Sequence, residues 1–209
     1  PMTGIPAGRR LAVARGAAGQ LVVFSPLPIS ANALADLRAL GDPAAFVIPS
    51  RFHDRCYADY FAHFPRSAFL ASAASAADHP RWPLRPISPA PPELDGFVVI
   101  KVEGMPRVQE HVCFHPATRT LLIADLLFNL PLQGGWLTRT WMKLADIGGR
   151  PRPSRLWRSL IEDRPAFARS LEQISALDFE RIVPGHGDII ATDAAQVFAA
   201  AFAEWRVVT

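Results

Sequence analysis

The chain has 209 residues, half of them hydrophobic and a fifth charged, and its 22 basic and 19 acidic residues leave a net charge of +3. This length supports one sizeable core, so a single domain over residues 1–209 is expected, and the composition excludes disorder, collagen and coiled coil for the chain as a whole. No apolar run approaches the ~18 residues of a membrane span, and Arg15 and Gln20 interrupt the leader-like stretch after Arg9-Arg10. Cys56 and Cys113 make no disulfide framework, so a reduced, cytoplasmic setting is expected. The arginines form no run of the kind that marks a nucleic-acid patch, although the basic excess permits a small anionic ligand. The expected partners are therefore a small anion or a second copy of the chain, without membrane or nucleic acid.

In chain order, Leu21-Val22-Val23-Phe24 is a short apolar run ending at Ser25-Pro26 and predicts a buried strand. Ser30 is placed to cap a helix that carries Leu34, Leu37 and Leu40 and stops at Gly41. Ala44 to Ile48 predicts a second buried strand. Tyr57, Tyr60, Phe61 and Phe64 then recur on one helical face, and Ala68 to Leu70 is a further strand. Six prolines between residues 80 and 92 predict an ordered connector. Phe97 to Val102 is a strand; in the next, Val112 and Phe114 share one face and His111, Cys113 and His115 the other. After a turn at Pro116-Ala117-Thr118, Leu121 to Ala124 is a buried strand that delivers Asp125 at its end. Helices are predicted from Trp136 to Leu144, Leu156 to Ile161 and Phe167 to Leu177, with a strand at Ile182-Val183. Val197, Phe198, Phe202 and Trp205 mark a closing amphipathic helix. Strands mixed with helices in both halves predict an α/β layered fold.

Polar groups with a chemical task sit where strands end and loops begin. In Pro184-Gly185-His186-Gly187-Asp188, two glycines shape the backbone around a histidine and leave its ring uncrowded. The segment is either a ligand or catalytic site, or a tight turn with a surface histidine. Asp125 reads as a metal ligand, a general base or a helix cap. His53 and Asp54 read as ligands or as a surface histidine beside a capping aspartate, and His63 and His79 as surface residues. Cys56 and Cys113 read as buried fillers.

Taken in order, these segments resemble the metallo-β-lactamase superfamily. His111-Val-Cys-Phe-His-Pro-Ala-Thr-Arg-Thr-Leu-Leu-Ile-Ala-Asp125-Leu-Leu-Phe128 is similar to that family's strand–turn–strand ending in Gly-Asp, whose aspartate bridges two metals. Ile182-Val-Pro-Gly-His-Gly-Asp188 resembles its last histidine segment, and Phe46-Val-Ile-Pro-Ser-Arg-Phe-His-Asp-Arg55 falls where His-x-His-x-Asp-His belongs. The resemblance covers roughly residues 20 to 205 and implies an αβ/βα four-layer sandwich. In its best register Ser50, Phe52 and Arg55 stand where three histidines belong, and Arg107 stands for a fourth. What it carries over is Asp54, Asp125 and His186, with His53 brought in by a shifted loop.

The cofactor implied is therefore none, or one divalent ion (zinc, iron or manganese). Two readings follow. In the first, the site is reduced and metal-free, and Arg51, Arg55 and Arg107 bind an anion or pair with the aspartates in a non-catalytic descendant. In the second, one metal held by His53 or Asp54, Asp125 and His186 serves a hydrolase of an ester, thioester or phosphoester. A third, weaker reading is an interaction module built on Trp136, Trp141 and Trp157, which exposure of Trp141 in an apolar patch would strengthen.

Overall fold

Short apolar runs punctuated by proline, glycine and serine build two sheets in the computed structural model, which describes residues 8–54 and 56–203. The first sheet holds β1 (Ala12–Arg15), β2 (Leu21–Phe24), β3 (Pro43–Val47), β4 (Ala68–Ala71) and β5 (Leu84–Pro86) in that spatial order. β1 is antiparallel to β2, and the remaining pairs are parallel. Parallel neighbours need a crossover, which α1 (Ala31–Leu40), α2 (Ala58–His63) and α3 (Ala73–Asp78) supply in turn. The Ser30 hydroxyl caps α1 by accepting from the Ala33 N–H, and Gly41 ends it at a φ of 123° that glycine alone adopts without strain.

The second sheet is β6 (Val98–Lys101), β7 (His111–His115), β8 (Thr120–Ile123) and β9 (Arg181–Pro184). Its first three strands run antiparallel, whereas β8 and β9 are parallel. The long crossover between them carries α4 (Trp136–Leu144), α5 (Arg155–Ser159) and α6 (Arg164–Ser175), and α7 (Ala194–Ala201) follows β9.

Alternation along each strand sorts the side chains into layers. Val22, Phe24, Val47 and Leu70 of the first sheet pack against Cys113 and Leu122 of the second. On the first sheet's other face, Val23, Phe46 and Phe69 meet Leu37 of α1 and Tyr60 of α2. On the second sheet's other face, Val112, Phe114, Leu121 and Ile182 meet Phe167 and Leu171 of α6 and Phe198 of α7. The result is the four-layer αβ/βα sandwich. Strands buried on both faces read as continuous apolar runs, which is why β2, β3 and β8 were legible in the sequence.

Three elements carry no such signal. β1 and α3 were not anticipated, and the proline-rich connector supplies an edge strand, β5, where proline is tolerated. Trp205 of the closing helix lies outside the described residues. No helix among the described residues is long and apolar enough to cross a membrane.

Candidate metal centre

The parallel topology brings the C-terminal ends of β2, β3, β8 and β9 to one edge of the sandwich. Ser25 follows β2, Ser50 and His53 follow β3, Asp125 follows β8 and His186 follows β9. Four separate strand ends thus converge on one cluster.

His53, Asp125 and His186 form its centre, each offering one donor atom within 4.8 Å of the others. His53 Nε2 lies 3.2 Å and His186 Nε2 3.4 Å from Asp125 Oδ1. Two donors on a tetrahedral zinc-type ion, with bonds of about 2.0–2.2 Å, sit about 3.4 Å apart. Both measured separations match that edge, so the donor set fits one ion. Two imidazole nitrogens and one carboxylate are also the ordinary donors of a three-residue site with an open position.

The surroundings hold these donors in place. Ser25 Oγ is 2.6 Å from His53 Nδ1, which engages the ring nitrogen facing away from Asp125. Ser25 has a φ of 51°, a left-handed conformation rare for serine, and is buried. The Ser50 hydroxyl donates to Asp125 Oδ2 at 3.1 Å. One carboxylate oxygen therefore faces the two histidines and the other is capped by serine. Behind the site, the buried Glu110 carboxylate accepts from the Ala124 N–H at 2.8 Å and from the Asp125 N–H at 3.1 Å.

The electrostatics follow from burial and these contacts. Burial alone would raise the Asp125 carboxyl. The charge of His53 and hydrogen bonds from His186 and His53 overcome it, and hold the group well below the usual carboxylate range. Burial first, and then the charge of Asp125, push Glu110 well above its ordinary value. Glycine is required around His186. A Cβ on Gly185 would lie 2.7 Å from Ala124 O and 3.0 Å from His53 Cε1, while Gly187 has a φ of 86° and lies against Asn129 O.

An aromatic wall leads outward. The Phe128 ring stacks on His186 at 5.4 Å, Trp157 meets Phe128 at 5.7 Å, and Phe52 meets Trp157 at 5.5 Å. Phe52 is 46 % exposed and marks the mouth.

The sequence-derived candidates divide. His53, Asp125 and His186 come together. Asp54, one residue away, turns outward to His79 Nε2 at 2.8 Å, which also corrects the reading of His79 as an unpartnered surface residue. Arg51 pairs with Asp78 at 2.5 Å and Arg107 with Glu162 at 3.2 Å, both near the surface, and neither reaches the cluster's donors. Arg55 lies outside the described residues. His111 and His115 are both buried, and Cys113 fills the layer between the sheets. Ser25 and Glu110 were missed as site residues. A serine at the end of an apolar strand and an acid just before His111 were the signals available.

No protein-family model matches the chain, and no curated protein matches it in sequence. Among solved structures the fold is well represented. TTHA1623 in a di-iron-bound form aligns at 17 % identity and a TM-score of 0.59, covering 96 % of this chain and 97 % of that one. A metallo-beta-lactamase from Pontibacter korlensis aligns at 11 % identity and 0.61, covering 96 % and 88 %. The chemotaxis sensor ODP, in a peroxy diiron species, aligns at 11 % and 0.60, covering 91 % and 83 %. The chain therefore has the metallo-β-lactamase fold, as the sequence resemblance implied.

Proposed function

We propose that this chain is a mononuclear metal-dependent hydrolase, with His53 Nε2, Asp125 Oδ1 and His186 Nε2 as the protein ligands. The observation that carries the reading is the three-donor cluster, buried at His53 and Asp125 and half-buried at His186, whose two separations to Asp125 Oδ1 are those of a tetrahedral site. A divalent ion so held lowers the pKa of its water to about 7 and polarises a carbonyl or phosphoryl oxygen.

The chain's own residues do the rest. Ser25 fixes the orientation of His53, as outer partners of metal-bound histidines do. Ser50 occupies Asp125 Oδ2 and leaves Oδ1 to the ion. Phe128, Trp157 and Phe52 form a wall that excludes water on one side and suits an apolar or aromatic group next to the scissile bond. The substrate class on this reading is an ester, thioester or phosphoester. Di-iron neighbours in the fold lend support to a metal, though not to a second one here.

One observation favours the alternative of a metal-free, non-catalytic site. Both Asp125 oxygens already have side-chain partners in Ser50, His53 and His186, so the cluster is satisfied without an ion. Arginine-bound anions gain no support from Arg51 and Arg107, which pair with Asp78 and Glu162. Hydrolysis of p-nitrophenyl acetate and bis-p-nitrophenyl phosphate, with added zinc, iron(II) or manganese and after chelation, separates the two. The hydrolase reading expects turnover that chelation abolishes and His186→Ala removes. Metal-independent silence on both substrates, with no metal bound, favours the alternative.

A further inference from the structure

α4 is turned inside out. Only Met142 of its nine residues is buried, while Trp136 is 73 %, Leu137 65 %, Trp141 41 % and Leu144 66 % exposed. An amphipathic helix ordinarily lays its apolar stripe on the core; here Leu137, Trp141 and Leu144 form that stripe, and it faces away. The Arg155 N–H donates to Ala145 O at 3.2 Å, joining the end of α4 to the start of α5, where Leu156 is also half-exposed. The patch thus runs across two helices, and Trp157 connects α5 to Phe52 at the mouth of the site.

Its charge is as one-sided as its hydropathy. Between residues 136 and 159 the only acid is Asp146, which Arg152 holds, against the basic residues Arg139, Lys143, Arg150, Arg152, Arg155 and Arg158. We infer that the α4–α5 face docks peripherally on an anionic phospholipid surface, with Trp136, Leu137, Trp141 and Leu144 entering the interface and Arg139, Lys143, Arg150 and Arg155 meeting headgroups.

Three arguments select this occupant. A second copy of the chain sharing the face would bring two basic patches together, since the one acid of residues 136–159 in each copy is already paired with Arg152. Side chains exposed to this degree stand out from the surface, which suits entry into a soft interface rather than a fit to a rigid groove. Tryptophan and leucine beside arginine and lysine are the combination that lies in a bilayer interface and is attracted by anionic lipid. The expectation of no membrane partner rested on spanning length, which interfacial docking does not need. The inference is independent of the metal.

The test is co-sedimentation of the whole chain with vesicles of phosphatidylcholine alone or with phosphatidylserine, at low and raised salt. The inference expects association with the phosphatidylserine vesicles only, weakened by salt, and a tryptophan blue shift on binding. Trp141→Ser with Leu144→Ser lowers association by about tenfold or more, and Arg139→Glu with Lys143→Glu abolishes it, while circular dichroism stays unchanged. Both pairs lie at exposed positions, so neither removes a core contact. No association with the anionic vesicles, or association indifferent to both pairs, overturns the inference. A concentration-dependent dimer that the Trp141→Ser, Leu144→Ser variant dissolves, without vesicle binding, also overturns it and gives the face to a second copy.

Discussion

Replacing Ser25 by alanine isolates the role of the residue behind His53. The hydroxyl sits 2.6 Å from His53 Nδ1 in a buried setting. Alanine keeps a Cβ, so the left-handed backbone at φ 51° costs much the same before and after. What changes is one buried ring nitrogen left without a partner, worth about 1–3 kcal/mol. Outer partners of metal-bound histidines, measured by affinity, contribute about 10–100-fold, which is about 1.4–2.8 kcal/mol. The two routes agree, so Ser25→Ala is expected to weaken zinc binding by one to two decades, read by competition with a chromophoric chelator. Ser25→Thr keeps the hydroxyl and is expected to recover most of the affinity. A Ser25→Ala affinity within about twofold of the parent would refute the positioning role.

Three further outcomes follow from the geometry. Gly185→Ala drives a Cβ to 3.0 Å from His53 Cε1 and 2.7 Å from Ala124 O, so metal affinity falls while β9 persists; unchanged affinity contradicts the close approach. Burial lowers His111 from 6.5 to about 4. The unfolded chain then binds the extra proton between those values, and stability is lost as pH falls through that window, by up to about 3 kcal/mol. Urea unfolding of the chelated protein at pH 6.5 and 4.5 reads this as the difference between the parent and His111→Phe, because the raised Glu110 acts with the opposite sign in the same window and is common to both; equal pH responses of the two proteins would refute it. Phe46, fully buried among Tyr60, Phe64 and Phe69 at 5.0–5.2 Å, is expected to cost about 3–5 kcal/mol as alanine in the same assay.

Much of the fold was legible because its strands are buried on both faces. Leu21–Phe24 and residues 121–124 appear as unbroken apolar runs, and Ser30 and Gly41 bracket α1 as capping chemistry requires. β1 was hidden because arginines flank a small alanine-rich edge strand, and β5 because its residues read as a connector. In the site, Asp125 and His186 were readable because each directly follows an apolar strand. His53 and Asp54 were not separable, since a rotation of one residue in the loop after β3 decides which faces the cluster. That choice depends on Ser25 and His79, residues 28 and 25 positions away. Spacing along the chain carries no record of either contact.

The central claim is one metal ion held by His53, Asp125 and His186. The most direct measurement is elemental analysis of protein purified without chelator or metal-affinity steps, beside an Asp125→Ala, His186→Ala variant shown to be folded by circular dichroism. The account predicts about one zinc, iron or manganese per chain, lost in the variant. Two ions per chain, or none in either protein after loading, would contradict it.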